Sequence, residues 1–157
     1  MFKSCANLAT TPALPATTLA GSCYHSMFYG CSSLLRAPDL PALTINIYSY
    51  HYMFYGCTSL IDVPDLPATT LNNYAYNHMF DGCSALVNAP VISATSGMSL
   101  RCCTSMFENC TSLITAPELP ATSFSSNYVY ESMFKGCTSL VNAPSTLPAN
   151  NVRFFCY

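Results

Sequence analysis

In LNNYAYNHMFDGC, residues 71 to 83, the large apolar side chains Tyr76, Met79, Phe80 and Cys83 fall at i, i+3, i+4 and i+7. That spacing puts them on one face of an α-helix and predicts a short helix ending near Gly82, because glycine tolerates the left-handed conformation that closes a helix. The stretch SLIDVPDLPAT, residues 59 to 69, is apolar at Leu60, Val63 and Leu66 and runs through Pro64 and Pro67. Proline cannot donate to a parallel ladder, so any strand is brief, centred on Ile61 to Val63, and the prolines turn the chain.

Both halves recur in register. Methionine falls at Met1, Met27, Met53, Met79, Met106 and Met133, and cysteine four residues later at Cys5, Cys31, Cys57, Cys83, Cys110 and Cys137. Leucine follows at Leu8, Leu34, Leu60, Leu86, Leu113 and Leu140, then proline at Pro12, Pro38, Pro64, Pro90, Pro117 and Pro144. The residue before each cysteine is Gly30, Gly56, Gly82, Asn109 or Gly136, with Ser4 in the first coil. A fixed period in the twenties predicts stacked coils that bury their apolar faces against one another. The expected fold is an α/β repeat solenoid of six coils of 26 or 27 residues, each a short helix plus a short parallel strand, forming one domain over residues 1–157. At a spacing of roughly 4.8 Å the stack is about 29 Å long. The rival architecture is an all-β solenoid, against which the helical spacing and the glycine column both argue.

The repeated phrase, seen in MFYGCTSLIDVPDLPAT at residues 53 to 69, resembles the BspA-like leucine-rich repeats of bacterial surface proteins. The match is carried by Phe54, Cys57, Leu60, Val63 and Pro67 and their equivalents in all six coils. The coil is longer than in that family, with an extra Ala/Val-Pro step and with methionine where small residues are commoner. The resemblance implies a curved solenoid with strands lining its concave side, a role in adhesion or recognition at the cell surface, and no catalysis. It implies no ligand-binding motif.

Composition narrows the partners. Half the residues are apolar (51%), only 8% are charged, and the formal net charge is −2. A phosphate backbone calls for a basic surface, so nucleic acid is disfavoured. No apolar run approaches the roughly 20 residues of a membrane span. The N-terminus has no apolar core of a signal peptide, so an export signal is expected upstream of this chain.

The six cysteines of the column are expected to be reduced and buried, because side chains stacked in parallel fit poorly the torsion of roughly 90° that a disulfide needs. Cys23, Cys102, Cys103 and Cys156 lie outside the column, and Cys103 takes the slot held elsewhere by Tyr24, Tyr50, Tyr76 and Tyr130. The Cys102–Cys103 pair lacks the second pair or histidines that zinc wants. His25, His51 and His78 form a ragged line along consecutive coils, which sets ligands in a row and not around a tetrahedron. The sequence therefore predicts no metal, no cofactor and no catalytic residue.

Positions that vary among fixed neighbours face solvent, since core positions cannot change size and charge so freely. Two residues after each leucine come Thr10, Arg36, Asp62, Asn88, Thr115 and Asn142; between the prolines come Ala13, Asp39, Asp65, Val91, Glu118 and Ser145. Arg36, Asp39, Asp62, Asp65, Asn88, Thr115, Glu118 and Asn142 make the expected binding face on the strand side. A second candidate surface is aromatic, with Tyr48, Tyr52 and Tyr55 partly exposed. Exposed tyrosine offers contact area at low entropic cost, which suits a protein or glycan ligand.

The chain starts on the Met-Phe of one repeat and stops at FFCY, where Cys156 and Tyr157 match Cys23 and Tyr24, with no polar cap at either end. Uncapped solenoids expose core, so an excerpt of a longer array, or end-to-end stacking on another chain, is expected. These readings converge on a non-enzymatic adhesion or recognition module, secreted or on a bacterial surface. The alternative is a structural spacer or assembly component, for instance of a virion, working through its stacked ends.

Overall fold

A computed structural model describes residues 1–122, 124–145 and 147. Cys156 and the FFCY terminus lie outside the described residues. The chain winds as stacked coils in the predicted register, but the coil is not helix plus strand: among the described residues there is no α-helix, and the pairing is limited to isolated parallel bridges. The α/β assignment is therefore wrong, and the reason lies in where the amides point.

From Ser22 to Cys31 consecutive amides alternate between two partners. The amides of Ser22, Tyr24, Ser26, Phe28 and Gly30 donate along the stacking axis to the carbonyls of Ile47, Ser49, His51, Met53 and Tyr55 in the next coil, at 2.7–3.0 Å. Those of His25, Met27, Tyr29 and Cys31 donate three residues back to Ser22, Tyr24, Ser26 and Phe28. Half the backbone is thus committed between coils and half to overlapping turns, so no donor remains for the i−4 bonds of an α-helix. The same five-rung pattern links Tyr48–Gly56 to Asn73–Asp81, Tyr74–Gly82 to Leu100–Glu108, and Arg101–Asn109 to Asn127–Lys135.

This ribbon needs a left-handed residue every fourth position. Gly30, Gly56, Gly82 and Gly136 have φ between 68° and 77°, and Asn109 has 58°. Two further columns are left-handed without glycine: Ser26, Tyr52, His78, Ser105 and Ser132, then Ser22, Tyr48, Tyr74, Arg101 and Tyr128, all at 51–61°. Each such residue costs about 1–2 kcal/mol, which the coil-to-coil bonds offset. Ser22 is exposed and its bond to Ile47 is made by the main chain. Ser22→Gly is therefore expected to leave stability unchanged or raise it by up to about 1 kcal/mol, while Ser22→Val lowers it by about 1–2 kcal/mol or more. Urea melts of the two variants should separate in that order.

A four-residue step mimics the 3.6-residue step of a helix, so the predicted apolar face is real although the helix is not. Tyr76, Met79, Phe80 and Cys83 are all buried, as are Tyr50, Met53, Phe54 and Cys57 one coil earlier. Down the core run continuous stacks: Phe2, Phe28, Phe54, Phe80, Phe107 and Phe134 at centroid spacings of 5.5–5.9 Å and near-parallel planes, and beside them Tyr24, Tyr50 and Tyr76 at 5.9 Å. The opposite side is closed by Leu34, Leu60, Leu86 and Leu113, all fully buried. There, among the described residues, neighbouring coils pair at isolated bridges, Arg36 to Asp62 and Asn88 to Thr115 to Asn142, and the prolines interrupt the pairing, which resumes at bridges such as Leu66 to Ile92.

Candidate functional site

The strand-side residues are exposed, but most of their polar groups are spent on the neighbouring coil. Arg36 Nη1 donates to Asp62 Oδ2 at 2.7 Å, and Asn142 Nδ2 to Thr115 Oγ1 at 3.1 Å. Asp65 Oδ1 accepts the Val91 amide at 3.0 Å, and Glu118 accepts both the amide and the hydroxyl of Ser145 at 2.8–3.1 Å. These carboxylates act as side-chain rungs that extend a ladder which the prolines interrupt. Asp39 lies apart, in a proline-lined depression with Pro12, Pro15, Pro38 and Pro41. Asn88 is exposed at its bridge to Thr115.

The turn ribbon presents a different surface. Its outward column, two residues before each cysteine, reads Lys3, Tyr29, Tyr55, Asp81, Glu108 and Lys135. Lys3 Nζ sits 4.5 Å above the Tyr29 ring, Tyr29 stacks on Tyr55 at 4.6 Å, and Tyr52 meets Tyr55 edge-on at 5.5 Å. Tyr52 in turn stacks on His78 at 4.8 Å and lies 4.1 Å from His51, which meets His25 at 4.9 Å. Tyr29, Tyr52, Tyr55 and His25 wall a depression of about 520 Å³ that is also lined by His78, Asp81, Glu108 and Asn109. Tyr48 stacks on Tyr74 at 4.8 Å and borders a neighbouring hollow with Ser22, His25 and His51.

The acidic end is the most organised part. His78 Nδ1 and Asp81 Oδ2 are 2.8 Å apart, Asn109 Nδ2 donates to Asp81 Oδ1 at 3.3 Å, and Lys135 Nζ donates to Glu108 Oε1 at 2.7 Å. Burial pushes the Glu108 carboxyl up, but hydrogen bonds from Lys135 and Ser105 outweigh it and hold the group below the usual carboxylate range. The Asp81 charge, with some burial, pushes the Tyr55 hydroxyl up, while burial and then Asp81 do the same for Tyr52. Both tyrosines therefore stay neutral donors beside a carboxylate.

His51 sits between these groups. Burial, with the charges of His25 and His78 added, lowers its pKa from the ordinary 6.5 to about 4, against the opposing effect of the Asn77 side chain as an acceptor for the protonated ring. A base whose pKa falls on folding binds fewer protons folded than unfolded between those values. Its contribution is complete above about pH 6.5 and is lost as pH falls toward about 4. Thermal melts across that window should show a falling midpoint, and His51→Gln should flatten the slope.

Of the sequence-predicted residues, the structure brings Tyr52 and Tyr55 together and leaves the strand-side residues as separate rungs. Sequence reasoning missed Asp81 and Glu108, and placed Tyr29 only among the tyrosines that crowd coils two and three. Their column varies as freely as the strand-side columns do, but a helical reading spread it around a cylinder. The buried cysteines of the column, by contrast, serve packing. Cys31, Cys57, Cys83, Cys110 and Cys137 each donate Sγ–H to the carbonyl of a phenylalanine in the preceding coil at 3.0–3.2 Å, and all described cysteines are free. Burial pushes the Cys57 thiol up to about 12 and that of Cys83 well above its usual range.

The chain is similar to a solved structure, a leucine-rich repeat protein from Bacteroides ovatus ATCC 8483, with 23% identity and a TM-score of 0.48 over 82% of this chain and 32% of that one. It spans about a third of that protein's length. No family model and no curated protein matches it.

Proposed function

We propose that this repeat protein is a non-enzymatic recognition module that binds a protein or glycan through the turn-ribbon face. The observation that carries this reading is the continuous half-exposed shelf of Tyr29, Tyr52 and Tyr55 bordering Asp81 and Glu108 in one depression. Rings held by face stacking and edge-on contact lose little entropy when a ligand covers them, and adjacent carboxylate and amide groups supply directional hydrogen bonds. The strand face has no such ring shelf, and three of its four acids, Asp62, Asp65 and Glu118, bond the neighbouring coil. Resemblance of the repeated phrase to BspA-like repeats supports adhesion at a bacterial surface as the setting.

The test is a glycan and protein-ligand binding panel with the whole chain. For any ligand bound, Tyr55→Ala and the left-hand-tolerant Tyr52→Asn are expected to weaken affinity at least about tenfold, the size of a modest hot spot. Arg36→Ala and Asp62→Ala should change it by less than about twofold, as rim-exposed charges do. The opposite ranking would move the binding face to the strand side.

A further inference from the structure

We propose that His78, Asp81 and Glu108 form a binding site for a divalent transition-metal ion of the Zn²⁺ type. One ligand atom from each lies within 4.8 Å of the other two. Ligands bound to Zn²⁺ at about 2.0–2.2 Å stand roughly 3.3–3.6 Å apart, so side-chain shifts on the order of 1 Å close the set. The backbone under them is held: His78 N bonds Thr104 O at 3.0 Å and Gly82 N bonds Glu108 O at 2.8 Å. His78 is further oriented by its stack on Tyr52.

The donor set selects the ion. An imidazole beside two carboxylates suits Zn²⁺ and its first-row neighbours, whereas Mg²⁺ and Ca²⁺ prefer oxygen alone. The charge balance favours a cation as well. The Asp81 and Glu108 side chains are only 7% and 14% exposed, and among the described residues the full positive charge paired with them is the ammonium of Lys135. Lys135 binds Oε1 of Glu108, so it holds, from the solvent side, the place of a counter-ion. The site opens on the depression, from which water completes the coordination. The three donors come from two coils, so an ion would also clip those coils together.

The experiment titrates ZnCl₂ into the full chain by calorimetry, in a Cys5→Ser, Cys23→Ser, Cys156→Ser background that removes the two thiols exposed among the described residues together with Cys156. One ion per chain is expected, with a raised melting temperature, and with weaker binding of Mg²⁺. His78→Asn, which keeps a left-hand-tolerant residue, and Glu108→Gln should each weaken binding at least about tenfold. Lys135→Met removes the competing ammonium without touching a ligand and should tighten binding several-fold. Co²⁺ in place of Zn²⁺ should give ligand-field bands without thiolate charge transfer. Binding weaker than about 100 μM, binding indifferent to these substitutions, or a thiolate band would overturn the assignment. The test does not depend on the recognition function, since the ion itself is the probe.

Discussion

Phe80→Ala is expected to destabilise the whole domain by about 3–5 kcal/mol, measured by urea unfolding. Phe80 is fully buried and stacks on both Phe54 and Phe107 at 5.6 Å, so truncation opens a ring-sized cavity and removes two ring contacts at once. The loss falls on the two interfaces beside coil four, and stability in a solenoid is a sum of such neighbour terms. Phe2 is half-buried and stacks on Phe28 alone, so Phe2→Ala should cost about half as much. Equal effects at the two positions would mean that the ring ladder is not the unit of coil-to-coil adhesion.

Cys83→Ala is the second expected large effect, a loss of about 2 kcal/mol from the cavity and the missing donor. Cys83 is fully buried, and its Sγ donates at 3.2 Å to the Phe54 carbonyl, which also receives the Cys57 amide. Cys83→Ser keeps a donor and is expected to lose less than Cys83→Ala; the reverse order would reduce the column to apolar filling. Because the bond needs the protonated thiol, and burial disfavours thiolate, Cys31, Cys57, Cys83 and Cys110 should resist alkylation until the chain unfolds. Cys5 and Cys23 are exposed and should react in the folded protein. Rapid native-state labelling of Cys83 would contradict the ladder directly.

Much of the core is readable before any coordinates. The Phe, Cys and Leu columns need only the period, because side chains that recur at a fixed step in stacked coils must meet their own copies. Gly30, Gly56, Gly82 and Asn109 likewise announce a left-handed position by residue type alone. The secondary structure inside the coil is not readable, because a run of turns stepping every four residues and a helix stepping every 3.6 give the same apolar spacing over thirteen residues. What separates them is the direction of alternate amides, and that depends on a neighbouring coil lying parallel at bonding distance. Tyr52 and His78 show the limit: no residue type there demands a positive φ, and the five-rung ladder on each side holds them in it.

The candidate site divides in the same way. The sequence by itself determined that Arg36, Asp62 and Asp65 vary and are exposed, and that tyrosines crowd coils two and three. Only the tertiary structure decided that Asp62, Asp65 and Glu118 serve as rungs while Tyr29, Tyr55, Asp81 and Glu108 line up as one surface. A column becomes a surface through the stacking of coils, and whether a carboxylate is spent or spare depends on the amide that the next coil sets in front of it.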